Sequence, residues 1–200
     1  MGQGKAYGED EVRALLREAL VALTADGTPA GDLSVGRLCT HAGISRSTFY
    51  KYFEDRPAML HALSADTLHR LYAAQRSWLA RGAQATRADV RASMAALLQA
   101  YTGERAVLRA TADAATTEPS LAAAYTSAVQ DYARAIARFV RAGRTAGAIP
   151  DGPPAAETGA ALAWMTERTV ATAPPDADPA ALADALTHVL TATLAIPDPT

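Results

Sequence analysis

The stretch 33–53, LSVGRLCTHAGISRSTFYKYF, decides the fold, because it holds two short helical patterns hinged on a single glycine. Ser34 is placed to cap a helix whose inward residues are Val35, Leu38, Cys39 and Ala42, and Gly43 ends it. Ser45 caps a second helix that runs through Tyr52. Ile44 stands just outside that cap and Phe49 four residues inside it, the spacing of a hydrophobic staple that fixes the entry angle. With Phe49 turned inward, a rotation of about 100° per residue puts Phe53 on the same side, Ser47 and Lys51 opposite, and Thr48 and Tyr50 on the flanks. Two helices around such a turn form the helix-turn-helix plan. An outer face of hydroxyls and one cation suits a major groove, where it can hydrogen-bond base edges and phosphates. The helix starts at Ser34 and Ser45 add unpaired N–H groups and a positive dipole end, which favour phosphate.

Working outward, the pattern stays helical. Upstream, Val12, Leu15, Leu16, Ala19, Leu20 and Leu23 recur at helical spacing from Glu9, and Gly27, Pro29 and Gly31 stop them. Downstream, a longer helix starts near Arg56, tolerates Pro57 in its first turn and runs to about Ala80, where Gly82 breaks it. Further helices are expected over 87–101, 104–116, 119–143, 154–172 and 179–194. No alternating β-branched run and no hairpin turn between two such runs occurs, so the fold class is all-α, without internal repeats.

Composition narrows the function. Across 200 residues, 19 Lys and Arg stand against 21 Asp and Glu, so any nucleic-acid footprint must be local. One cysteine excludes an internal disulfide and a thiolate metal cluster. His41, His61, His69 and His188 lack ligand spacing, so no metal and no cofactor is expected. Met1–Lys5 begin no secretory apolar core, and nothing nears the roughly 18 uninterrupted apolar residues of a spanning helix. The expectation is a cytoplasmic protein without membrane contact.

The string AGISRSTFYKYF, with a capped helix before it and a helix near Arg56 after it, resembles the DNA-binding domain of the TetR family of one-component bacterial repressors. Two later strings, 104–110 (ERAVLRA) and 162–169 (LAWMTERT), resemble the subgroup of ethionamide-resistance repressors. The resemblance implies a nine-helix fold. It implies a helix-turn-helix domain over 1–54 and a ligand-binding and dimerisation domain over 55–200. It also implies DNA contacts from Arg46, Ser47, Thr48, Tyr50, Tyr52 and Arg56, to which Lys51, Ser34 and Ser45 are added from the residues themselves. One departure stands out: many members carry basic residues where Glu54 and Asp55 lie here.

In the second half, Val90, Met94, Leu97 and Tyr101 form one stripe, and Tyr125, Val129, Tyr132, Ile136 and Phe139 form another. Such stripes are ordinarily core. The resemblance implies instead that they line a channel with Trp164, Thr166, Glu167, Val170 and Leu190, the tyrosines, Thr166 and Glu167 orienting a small apolar effector. The subgroup carries Asn-x-x-Asn-Glu-Arg where this chain has Ala163, Trp164, Met165, Thr166, Glu167 and Arg168, and Ala171 replaces an aromatic. Two amides are lost and volume opens, so a bulkier, less polar effector is expected.

The function expected is a ligand-responsive repressor that binds a palindromic double-stranded operator as a homodimer, since one short recognition helix reads too few bases alone. The last two helices of each subunit should build a four-helix interface through Leu182, Leu186, Val189 and Leu194. The competing readings are a helical ligand-binding or adaptor protein that has lost the operator, encouraged by Glu54 and Asp55, and an enzyme, whose catalysis would rest on Glu167 alone.

Overall fold

A computed structural model of the chain describes residues 7–25, 28–174 and 176–197. Lys5 and Gly27, named above, and the side chain of His69 lie outside what is described. Glu9, Asp10 and Glu11 open α1 (Glu9–Thr24), where negative charge complements the helix dipole, and Val12, Leu16, Ala19 and Leu20 form its buried face. A 3-10 turn (Ala30–Asp32) leads to α2 (Val35–Ala42), which Ser34 caps by accepting from Arg37 N. Gly43 ends α2 at φ 67°, a left-handed conformation that a side chain would strain. Ser45 caps α3 (Arg46–Tyr52), and α4 (Arg56–Leu79) follows.

After a second 3-10 turn (Gly82–Gln84) come α5 (Arg87–Ala115), α6 (Pro119–Thr145), α7 (Ala155–Ala171) and α8 (Pro179–Thr193). The nine-helix plan is present with one difference. The helices expected over 87–101 and 104–116 are joined end to end as the single rod α5, which passes through Gly103 without a break. A mid-helix glycine costs about 1 kcal/mol relative to alanine, too little to interrupt a helix packed along its length. All regular structure among the described residues is helical, and no helix there is long and apolar enough to cross a membrane.

Packing divides the chain into two compact units, which do not follow one cut after residue 54. The first is Met1–Thr67 with Glu104–Ala124, and the second is Leu68–Gly103 with Tyr125–Thr200. In the first, Phe49, Leu16, Leu38, Met59, Leu63, Val107 and Leu121 belong to one buried cluster, with the expected staple partners Ile44 and Phe49 both inside it. Arg17 ties three helices there: it pairs with Glu104, donates to Thr67 Oγ1 at 2.8 Å and reaches Leu63 O at 3.1 Å. In the second, Gly159 lets α7 lie directly on α6. A Cβ at that position would sit 2.4 Å from Ala133 O, so alanine there would force the helices apart.

Candidate nucleic-acid interface and effector site

The reading head is built from caps. Ser45 Oγ accepts from Thr48 N at 3.0 Å and lies 2.7 Å from Ser47 Oγ and 2.8 Å from Thr48 Oγ1, so three hydroxyls cluster at the start of α3. Phe49 is fully buried and stacks against Phe53, while Tyr50, the next residue, is 51% exposed. Ser34, Ser45, Arg46, Ser47 and Lys51 are exposed as well, and Thr48, Tyr52 and Arg56 are half-buried. Of the nine expected contact residues, Tyr52 has another commitment. Its hydroxyl donates to Tyr7 O at 2.5 Å, anchoring the segment before α1, and its ring carries Lys51 Nζ 4.8 Å from the centroid.

Two residues gain a role that the sequence reading did not supply. Asp55 Oδ1 accepts from Ala58 N at 2.8 Å and so caps α4, which gives the acidic departure a structural reason. Arg37, exposed in the first turn of α2 beside the Ser34 cap, adds a cation to this surface. Its signal was its place one turn after a capping serine. Cys39, buried beneath, has its thiol pushed up by burial, with Arg46 pulling part of the way back.

The second unit turns the expected channel stripes inward. Val90, Met94, Leu97, Val129, Tyr132, Ile136, Phe139, Thr166, Val170 and Leu190 are buried; Tyr101, Tyr125 and Trp164 are half-buried. Thr166 gives its proton to Leu162 O within its own helix. A polar layer runs through this apolar interior. Tyr125 donates to Glu167 Oε1; Tyr132 donates to Gln75 Oε1 at 3.2 Å; Gln75 Nε2 donates to Ser93 O at 3.1 Å; Tyr101 donates to Ala171 O at 3.3 Å. Tyr72 lies 5.7 Å from Tyr132 ring to ring, and Trp78 meets Phe139 edge-on at 5.2 Å.

Burial holds Tyr72, Tyr125 and Tyr132 protonated, their hydroxyls pushed far above the ordinary tyrosine range, and the Glu167 carboxylate adds to the effect on Tyr125 and Tyr72. Glu167 Oε2, a buried polar atom of this layer, has no hydrogen-bond partner, and the Trp78 side chain lies against the Tyr132 hydroxyl. Tyr72, Gln75 and Trp78 were not among the expected lining residues. The signal was available, since a glutamine three residues from an aromatic on either side marks a polar spot on one helix face. Phe139 also borders an apolar pocket of about 420 Å³ with Ala85, Gly143, Ile149 and Leu194.

The residues expected at the dimer interface separate into two kinds. Leu186 and Leu194 are buried within their own chain, whereas Val189 is 39% exposed and Leu182 half-buried. Ala181, Ala185 and Ala192 share the exposed side of α8 with Val189, and Trp164 and Met165 are half-exposed on α7.

The sequence profile of the family described as "Transcriptional regulator EthR, C-terminal domain" matches residues 90–195. The HTH-type transcriptional regulator EthR of Mycobacterium tuberculosis (strain H37Rv) is 30% identical over 187 residues, covering 91% of this chain and 86% of that protein. Its counterpart in Mycolicibacterium smegmatis is 28% identical over 188 residues, covering 92% and 84%. Among solved structures, Salmonella enterica GusR superposes with a TM-score of 0.70 at 16% identity, over 96% of this chain and 100% of that one. The TetR family regulator PfmR from Thermus thermophilus gives 0.67 at 18% identity, over 91% and 97%.

Proposed function

The chain belongs to the TetR family of helix-turn-helix transcriptional regulators, in its EthR subgroup, and from that premise we propose that it is a repressor. As a homodimer it holds a pseudo-palindromic operator, and it lets go when a small, mainly apolar effector enters the second unit. The observation that carries the DNA-binding role is the α3 surface, where a fully buried Phe49 pins a short capped helix so that Ser47, Tyr50 and Lys51 project outward. Arg46 and Arg37 add charge beside the phosphate-favouring starts of α3 and α2. Thr48 and Arg56 are assigned phosphate or base contacts, and Tyr52 positions the head through Tyr7. Reading is assigned to 1–54, and effector response and dimerisation to 55–200.

The dimer follows from DNA geometry, because paired heads about 34–36 Å apart supply affinity and register together. The exposed side of α8 around Leu182 and Val189, with Met165 of α7, is the surface suited to it. An effector acts only by preferring one of two head spacings, since equal affinity for both would shift nothing. Helix α4, unbroken from Arg56 to Leu79, is the covalent element suited to transmit that preference.

A mobility-shift titration of the full chain against DNA flanking its own gene tests the reading. Tight, salt-sensitive binding is expected. Tyr50→Phe combined with Lys51→Ala should weaken it while circular dichroism stays unchanged. Wild-type affinity in that double variant at about 150 mM salt removes the α3 assignment.

A further inference from the structure

We propose that the effector carries a protonated amine on its apolar body, and that the ammonium docks on Glu167 Oε2 beside Tyr125 and Tyr72. The inference deepens the effector reading given above and rests on it. The Glu167 side chain is only 6% exposed, and its Oε1 already takes the Tyr125 proton. Oε2 is wholly buried and accepts no hydrogen bond. A buried carboxylate oxygen left in that state is costly, and the shortfall is removed by any donor that arrives.

Three tyrosines of this layer spend their protons elsewhere. The one proton of Tyr125 goes to Oε1, that of Tyr101 to Ala171 O and that of Tyr132 to Gln75 Oε1. Arg168 Nε stands 3.6 Å from Oε2, beyond hydrogen-bond reach, on a side chain 67% exposed, so water screens most of its charge. Tyr72, Tyr125 and the carboxylate lie within electrostatic range of one another, and Tyr101 within range of Tyr125. Ring faces attract cations, and the attraction grows as water is excluded. A carboxylate with an oxygen that accepts no hydrogen bond, beside Tyr125 and Tyr72, selects an ammonium over a neutral hydroxyl, and either over another carboxylate. The body of the effector meets apolar neighbours, since Val129 lies one turn from Tyr125 on α6 and Val170 three residues from Glu167 on α7. The subgroup's glutamate is kept here while its two amides are lost, so Glu167 is left as the main polar side chain of this stretch.

The test uses the full chain and three probes of equal length: octylammonium, 1-octanol and octanoate. Thermal shift should give octylammonium an affinity about tenfold above octanol, with octanoate weakest. Glu167→Gln keeps an acceptor for Tyr125 and should erase the preference while leaving octanol unchanged. Arg168→Ala, at an exposed side chain, should strengthen octylammonium binding two- to threefold, so the proposal stays falsifiable if the glutamine variant does not fold. Octylammonium no better than octanol, a preference that survives Glu167→Gln, or no gain with Arg168→Ala overturns it. Operator binding by the ligand-free chain is scored separately: its loss would sink the repressor reading, whereas intact operator binding without amine preference sinks only this one.

Discussion

The two units solve the problem of polar groups in opposite ways. Around α3 two hydroxyls and a carboxylate are placed at helix ends, where each satisfies a backbone N–H at the surface: Ser34 on Arg37, Ser45 on Thr48 and Asp55 on Ala58. The apolar anchor beneath is dry. In the second unit the polar groups sit in the interior, on the flanks of long helices, as a layer of tyrosines with Gln75 and Glu167 that leaves Glu167 Oε2 without a hydrogen bond. A surface that must meet a fixed duplex benefits from local, self-sufficient caps. On the proposed function, an interior that admits an effector benefits from groups whose full satisfaction waits for it.

The contrast can be broken most violently at α8. Leu186→Asp buries a charge inside one chain and should unfold the second unit, at a cost above about 4 kcal/mol in chemical denaturation. Val189→Asp, at an exposed site, should stay within about 0.5 kcal/mol of wild-type protomer stability while sedimentation shows the dimer dissociating. If both variants behave alike, the outward side of α8 is not the interface. Phe49→Ala comes next. It should cost about 3–5 kcal/mol, because the ring fills the space under both reading-head helices, and DNA binding should vanish with it.

A smaller effect separates the two kinds of polar group directly. Gln75→Leu removes the acceptor of the buried Tyr132 hydroxyl, so urea unfolding should show a loss of about 1–3 kcal/mol even though the substitute is apolar. A neutral result would mean that this layer is already hydrated. Ser45→Ala removes one cap whose N–H can turn to water. It should cost only about 1 kcal/mol, while operator affinity falls further than stability because the hydroxyl cluster at the α3 start is lost.

Much of the first unit was legible because its signals are local. Ser34, Gly43 and Ser45 mark helix ends within a turn of the groups they serve, and α2 begins and ends, and α3 begins, where those residues predict. The glycine at 103 misled for the same reason: read locally it permits a break, yet α5 continues through it. Long-range partners were invisible. The Tyr52 hydroxyl goes to Tyr7 O, 45 residues away, and Gln75 meets Tyr132 from 57 residues away. No spacing rule along the sequence encodes either contact.

By itself, then, the sequence determined the all-α class, the helix-turn-helix element and the outward face of α3, since capping, helical period and glycine chirality act over a few residues. The apolar stripes of the second half were equally plain as stripes. Only the tertiary structure decided which side of each stripe meets its own chain. Leu186 and Val189 are equally apolar and lie three residues apart, yet one is buried and the other exposed, because burial depends on which helix lies opposite and not on the residue alone. The vacant oxygen of Glu167 was decided in the same way, by where the protons of Tyr101, Tyr125 and Tyr132 are spent once α4 to α7 have packed.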